Sequence, residues 1–290
     1  MNRDRITQPG YAADVVAAIV ALGDAGPDLQ TVIGISGLQG SGKSTLAAQV
    51  VAAAKRNGRN ALALSIDDFY LGRAARARLA RSVHPLLATR GVPGTHDIGL
   101  LLRTLDALRS ASAARPVPVP RFDKGRDTRL PPSRWRRVRV APDLVILEGW
   151  CIGVPPQAGT ALHRPLNVLE RDADAAARWR GWVNDQLAQS YVPLWRRLAR
   201  LVVLQPPDYS VVRRWRDEQE RGLRVRRAPR AMTATALQRF LMHYERLSRH
   251  ALRTLPALAD LRIVLDARRQ VRRVIARGTH SPPPSASSRA

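Results

Sequence analysis

The stretch Gly37-Leu38-Gln39-Gly40-Ser41-Gly42-Lys43-Ser44-Thr45 decides the fold. It follows the apolar run Val32-Ile33-Gly34-Ile35 and precedes a helix-like run from Leu46 to Ala54. Strand, G-x-x-x-x-G-K-[ST] loop and helix, in that order, make a phosphate-binding loop. A chance glycine turn would lack that flanking order. Glycines let the backbone turn tightly and aim successive N–H groups at phosphate oxygens. A helix starting at Lys43 adds its positive end. Lys43 has the reach for the β- and γ-phosphates of a nucleoside triphosphate, and the Ser44 hydroxyl suits Mg²⁺.

Two further apolar runs end in acids. Ala61-Leu62-Ala63-Leu64-Ser65-Ile66 reads as a buried parallel strand and runs into Asp67-Asp68-Phe69-Tyr70. Acids at the carboxyl end of such a strand stand where open α/β sheets bind ligands. One of Asp67 and Asp68 is expected to orient the hydroxyl of a phosphoryl acceptor or to take its proton; the alternative is a pair that caps the next turn. Asp143 to Trp150 reads as another strand, with Glu148 at its end. That acid matches the metal-side element of phosphate-loop enzymes, so Ser44 and Glu148 are the expected Mg²⁺ holders.

The rest of the chain supplies candidates of weaker individual signal. Tyr11 to Leu22 has one apolar helical face and reads as a packing helix with no site of its own. A helix is expected over Arg73 to Arg81, and another over Ile98 to Ser110 capped by Asp97. His96, in the Gly/Pro-rich loop before that cap, is either a substrate ligand or a plain loop histidine. The alternate prolines of Pro116 to Pro120 forbid a helix and lead into Arg121-Phe122-Asp123-Lys124. Arg121 and Lys124 are candidates for gripping a carboxylate, against the alternative of a solvated loop. Glu170 to Gln189 reads as one helix, Arg200 to Leu204 as a strand and Tyr209 to Gly222 as an arginine-dense helix with Arg213, Arg214, Arg216 and Arg221. This basic segment is expected to close over the nucleotide as a lid around 208–230, with Arg213 and Arg216 as its charge-neutralising residues. Thr233 to Leu255 reads as a long helix, Leu261 to Leu265 as the last strand, and Val271 to Ala276 as a final helix.

These elements predict an α/β fold of the P-loop NTPase kind, a mainly parallel sheet with helices on both faces and a helical lid. The expected layout is an N-terminal helical segment over 1–30, one domain over 31–278 and a Pro/Ser-rich disordered tail over 279–290. At 290 residues the chain can bury a sizeable core. Its formal net charge of +25 suggests an anionic partner. Only Lys43, Lys55 and Lys124 of its 48 basic residues are lysines, and the arginines are scattered without a Lys/Arg run of five. Nucleic-acid binding is therefore not expected as the main function, and attraction for ATP and an acidic small molecule accounts for part of the charge. A single cysteine, Cys151, excludes an internal disulfide and fits a reducing compartment. With no signal-peptide core at the start and no run long enough to span a bilayer, a cytoplasmic protein is expected.

Together the motifs at 34–45, Ser65-Ile66-Asp67-Asp68-Phe69-Tyr70-Leu71, Arg90-Gly91-Val92-Pro93-Gly94-Thr95-His96-Asp97, Arg121-Phe122-Asp123-Lys124 and Leu147-Glu148-Gly149-Trp150-Cys151-Ile152-Gly153 resemble the glycerate 3-kinase family of phosphate-loop kinases. Trp215-Arg216 and Tyr244-Glu245-Arg246-Leu247 resemble its C-terminal half. The resemblance runs from about residue 30 to about residue 266. It implies transfer of the ATP γ-phosphate to the 3-hydroxyl of D-glycerate, with ATP on Gly37 to Thr45 and Lys43 as a catalytic group. It implies Asp67 as the acid that activates the hydroxyl, Asp68 as the alternative, and His96, Arg121, Asp123 and Lys124 around the acceptor. Many members carry a longer glycine-rich stretch ending in Asp-Arg after the Asp-Lys motif; here Gly125-Arg126-Asp127-Thr128-Arg129 is short and Thr128 splits the pair. A kinase for another small acceptor, such as a nucleoside or pantothenate, and a nucleic-acid-associated ATPase are the readings that remain beside it.

Overall fold

The computed structural model describes residues 10–23, 30–225 and 233–277. The helix α1 (Ala13–Leu22) leads into strand β1 (Thr31–Gly37), then α2 (Lys43–Arg56), β2 (Ala61–Ser65), α3 (Arg73–Ser82) and α4 (Ile98–Leu108). Short strands β3 (Val117–Val119), β4 (Phe122–Asp123), β5 (Thr128–Arg129) and β6 (Arg136–Val138) precede β7 (Leu144–Gly149). Then come α5 (Val168–Ala173), α6 (Arg178–Gln186), α7 (Val192–Trp195), β8 (Arg200–Gln205), α8 (Val211–Val225), α9 (Ala234–Leu258), β9 (Leu261–Leu265) and β10 (Val271–Ala276).

Six strands form the central sheet in the order β10-β9-β8-β1-β7-β2. All neighbours pair parallel except β10, which runs antiparallel to β9. Because a strand sends successive side chains to opposite faces, each inner strand feeds two cores. Val32, Val145, Leu147, Leu201 and Val203 pack with α4 and α9 on one face. Ile33, Ile35, Leu144, Ile146, Val202 and Leu204 pack with α1 and α2 on the other. Trp215 of α8 closes the second core and is fully buried. The expected parallel sheet with helices on both faces is the architecture observed.

Register decides what meets at the carboxyl edge. Ile35 pairs with Glu148 and Ser36 with Gly149 on one side of β7, while Ser65 pairs with Glu148 on the other. The phosphate loop, Glu148 and the Asp67 turn therefore leave the sheet side by side. The chain passes from β1 over β7 to β2, and from β7 over β1 to β8, so this is also where the winding reverses.

Two sequence expectations are corrected. Val271 to Ala276 is strand β10, not a helix. Asp266 accepts the N–H groups of Arg268 and Gln270, and the resulting turn folds the segment back on β9. The helix expected over Glu170 to Gln189 is interrupted. Asp174 accepts the N–H groups of Trp179 and Arg180 and starts α6 afresh after Ala177, which is left-handed at φ 58°. A π-helical turn, Leu187–Tyr191, then precedes Pro193, which has no N–H to give the preceding turn. The Asp97 cap is present, its Oδ1 accepting from Leu100 N at 3.0 Å. The tail over 279–290, part of the segment over 1–30, and the lid residues 226–230 lie outside the described residues. Among the described residues, no helix is long and apolar enough to cross a membrane.

Candidate active site

The loop after β1 takes the conformation its glycines allow. Gly40 and Gly42 are left-handed, at φ 82° and 94°. A Cβ on Gly40 would lie 2.8 Å from Trp215 Cβ, and one on Gly42 would lie 2.8 Å from the Tyr11 hydroxyl. Neither position admits a side chain without movement of its neighbours. α2 starts at Lys43, so its free N–H groups face the loop. Lys43 Nζ donates to the Leu38 carbonyl at 3.0 Å. Burial pushes this ammonium below the ordinary lysine range, while Glu148 and Asp67 pull it back up.

Ser44 Oγ donates to Glu148 Oε1 at 2.8 Å. A hydroxyl and a carboxylate in contact are hard oxygen donors of the kind Mg²⁺ takes when phosphate oxygens and water supply its other ligands. The described residues contain no cluster of three His, Cys, Asp or Glu side chains fit for a metal.

Asp67 lies in the short helical turn that follows β2. Its Oδ2 accepts from Lys124 Nζ at 2.7 Å and its Oδ1 from the Tyr70 hydroxyl at 2.9 Å. Burial would raise its pKa, but Lys124, His96 and the Tyr70 bond outweigh it and hold the carboxyl down at about 2. Asp68 turns the other way. Its Oδ1 accepts the N–H of Phe122 at 3.0 Å, fastening β4 to the turn. Burial raises its pKa, with the Phe122 N–H and Lys124 opposing.

A cavity of about 210 Å³ gathers these groups. Gln39, Gly40, Lys43 and Ser44 of the loop line it together with Asp67, Lys124, Glu148, Arg90, Arg216 and Tyr244. Of the residues singled out in the sequence, the structure brings Lys43, Ser44, Asp67, Lys124, Glu148 and Arg216 together here. Arg216 also lies over the Phe240 ring, 5.9 Å from its centroid. Arg213, three residues earlier on α8, is exposed and does not line the cavity.

The other acceptor candidates lie outside the cavity lining. Arg121 is exposed. Asp123 accepts the N–H of Arg126 within the β4–β5 turn. His96 lies behind Tyr70, stacked on it at 4.4 Å between centroids. Its Nδ1 is 2.6 Å from the Tyr191 hydroxyl. Burial lowers its pKa to about 4 against the pull of Asp67, so the ring is neutral at pH 7. It supports the tyrosine that supports Asp67.

No family model matches the sequence. An uncharacterized kinase of Schizosaccharomyces pombe, mug58, is 34% identical over 226 residues, covering 73% of this chain and 78% of that protein. A chloroplastic D-glycerate 3-kinase of Arabidopsis thaliana is 32% identical over 213 residues, covering 70% of this chain but 43% of the plant protein. The chain belongs to the glycerate 3-kinase family of P-loop kinases. A solved D-glycerate 3-kinase from Cryptococcus neoformans superposes with a TM-score of 0.76 at 23% identity, covering 91% of this chain and all of that one, and shows the shared fold. Like its family, the chain is a kinase, a transferase with a nucleotide-binding P-loop.

Beside the residues read from the sequence, this kinase places Arg90 in the cavity. Arg90 Nη1 meets Asp127 Oδ1 at 2.5 Å, and its guanidinium lies over Phe122. Asp127 also pairs with Arg76, which is fully buried. The loop that carries Arg90 is held by Tyr244, whose hydroxyl donates to the Arg90 carbonyl at 2.9 Å, and by Trp150 Nε1, which donates to the Gly91 carbonyl at 3.1 Å. The signal for Arg90 was present in the Arg90-to-Asp97 motif, where attention falls on the histidine. Nothing local links Arg90 to Asp127, 37 residues away.

Proposed function

We propose that this kinase transfers the γ-phosphate of ATP to a hydroxyl of a small acid, D-glycerate at its 3-hydroxyl. The observation that carries the reading is the Asp67 carboxylate, held ionised by Lys124 and Tyr70 in the same cavity as Lys43 and the Ser44–Glu148 pair. A kinase needs an acceptor oxygen beside a phosphate cradle, and positioning with charge neutralisation supplies most of its rate. Asp67 orients the acceptor hydroxyl and takes its proton as the oxygen bonds to phosphorus. Its low pKa makes it a weak base. That suits a loose transition state, in which the acceptor oxygen loses its proton late.

Gly37 to Thr45 hold the triphosphate through backbone N–H groups, and Lys43 exchanges the Leu38 carbonyl for phosphate oxygens. Mg²⁺ supplies positive charge at the phosphates when bound, and Ser44 with Glu148 are the side chains that hold it. Arg216 of the lid neutralises charge on the phosphoryl group in flight. Arg90 and Lys124 are the cavity's cations on the acceptor side and grip the acceptor carboxylate; an Arg90 fork, oriented by Asp127, suits it geometrically. The D-glycerate 3-kinase named among the relatives supports this choice of acceptor.

The test is ADP release from MgATP with D-glycerate, L-glycerate, uridine, pantothenate, ribulose 5-phosphate and no acceptor. The expected result is release dependent on D-glycerate, with 3-phosphoglycerate as product. Release with another acceptor alone would overturn the glycerate reading. Acceptor-independent release, raised by nucleic acid, would overturn the small-molecule reading altogether.

A further inference from the structure

The N-terminal segment does more than pack. Tyr11 donates its hydroxyl to the Ser41 carbonyl of the phosphate loop at 2.9 Å. Two bonds fix Tyr11 in turn. Its N–H donates to Gln49 Oε1 at 2.9 Å, and its carbonyl accepts from Gln49 Nε2 at 3.1 Å. Gln49 lies on α2, so Tyr11 is clamped to the helix that grows out of the loop. Burial raises its phenol well above the ordinary tyrosine range, and it stays a donor at neutral pH.

Arg269 reaches the same loop from the other end of the chain. Its Nε donates to the Gly40 carbonyl at 2.8 Å. Its Nη2 meets Glu218 Oε2 of α8 at 2.6 Å, and its guanidinium lies 5.1 Å from the Trp215 ring centroid. Arg269 is left-handed, at φ 66°. A non-glycine residue there is uncommon and is kept only where the surroundings hold it. The Asp266 turn does so, and it aims the guanidinium at the loop.

Two successive peptides of the loop thus have their carbonyls tied on the outside. In a trans peptide the following N–H points away from the carbonyl. The N–H groups of Ser41 and Gly42 are therefore turned inward. The Ser41 N–H rests on the Leu38 carbonyl at 3.2 Å, the oxygen that also receives Lys43 Nζ, so both donors leave that carbonyl when they turn to a phosphate oxygen.

We propose that Tyr11 and Arg269 are positioning residues of the phosphate loop, holding the carbonyls of Ser41 and Gly40 outward so that the next two amides face the β-phosphate of the nucleotide. Through Glu218, Arg269 joins this brace to α8, the helix that also brings Arg216 into the cavity. The proposal rests on the phosphate-loop reading and is independent of which acceptor is used.

Calorimetric titration of ADP and of AMP into the full chain tests it, with wild type, Tyr11→Phe and Arg269→Gly. Tyr11→Phe removes one oxygen only. Arg269→Gly removes the side chain while glycine is at home at that φ, and thermal melts confirm that both variants fold. Each variant should bind ADP about three- to tenfold more weakly, the scale of one lost hydrogen bond. AMP, which lacks the β-phosphate, should change by less than about twofold. A merely structural role would lower both affinities together, and that result would overturn the proposal. Unchanged ADP affinity in either variant removes that residue from the brace. Failure of the wild type to bind ADP would instead remove the phosphate-loop reading itself.

Discussion

Asp67→Asn is the sharpest perturbation of the proposed chemistry. Asparagine keeps the shape of the side chain and an oxygen that can accept from Tyr70 or Lys124, now 2.9 and 2.7 Å away. It loses the charge and the ability to take a proton. A positioned base contributes about 10²- to 10⁴-fold, so turnover should fall at least about a hundredfold, about 2.7 kcal/mol of barrier. The fold should survive, because the Asn oxygen still accepts from Tyr70 or Lys124, and Lys124, with 62% of its side chain accessible, can turn to water when its partner loses its charge. The KM for ATP should stay within about threefold, since binding energy for ATP comes from the loop amides and Lys43. Steady-state kinetics in coupled ADP release, beside a thermal melt, separates these outcomes. Turnover within a few-fold of wild type would remove Asp67 as the base. The pH dependence gives a second check on the same residue. A carboxyl held down at about 2 stabilises the fold and stays ionised above the ordinary carboxylate pKa, and both effects are lost only as the pH falls toward 2. The wild-type rate should therefore show no acid limb from Asp67 between pH 5 and 9.

Lys43→Ala should lower turnover by about 10²- to 10³-fold, the cost of one preorganised donor on developing phosphate charge, with single-turnover assays as the measure; an unchanged rate would contradict the phosphate-loop assignment. Glu148→Gln should raise the Mg²⁺ concentration for half-maximal rate by about tenfold or more, seen in a metal titration at fixed ATP, while ADP binding without metal is kept. Arg90→Lys keeps the charge but loses the planar guanidinium that Asp127 holds through Nη1, and should raise the KM for the acid acceptor by about tenfold while the KM for ATP holds; equal changes in both would take Arg90 off the acceptor side.

Much of the fold was legible because its signals are local. The loop at Gly37, the strands at Ala61 and Asp143 and the acids that end them each carry composition and position in a single short window. Val271 to Ala276 was misleading for a physical reason. Val271, Val274 and Ile275 stand at i, i+3 and i+4, which fits a helical face. Yet they are β-branched, and pairing with β9 across the Asp266 turn decided the outcome. The break before α6 depends on Asp174 capping from outside the helix, and the irregular turn after it runs into Pro193; neither is visible in the apolar spacing. In the site, the extended segment at 117–124 was legible but its faces were not used. Val117, Val119 and Phe122 are buried and Arg121 is exposed between Pro120 and Phe122, so the cation that reaches the cavity is Lys124. Arg90 needed Asp127, and that pairing exists only in three dimensions. Nor did the charge of +25 show where its arginines go: Arg76, Arg180 and Arg246 are tied up in ion pairs with Asp127, Asp174 and Glu170.

The bond between Lys43 and the Leu38 carbonyl has a thermodynamic corollary. A lysine that is free in solution loses about 2 kcal/mol of rotamer entropy when it is fixed. Here the side chain is already fixed, with its ammonium resting on the neutral dipole of the Leu38 carbonyl at 3.0 Å. That disorder was surrendered when the protein folded. A triphosphate arriving at the loop meets an ordered cation and trades a carbonyl for an anion, so the association should be led by enthalpy and weaken steeply with added salt.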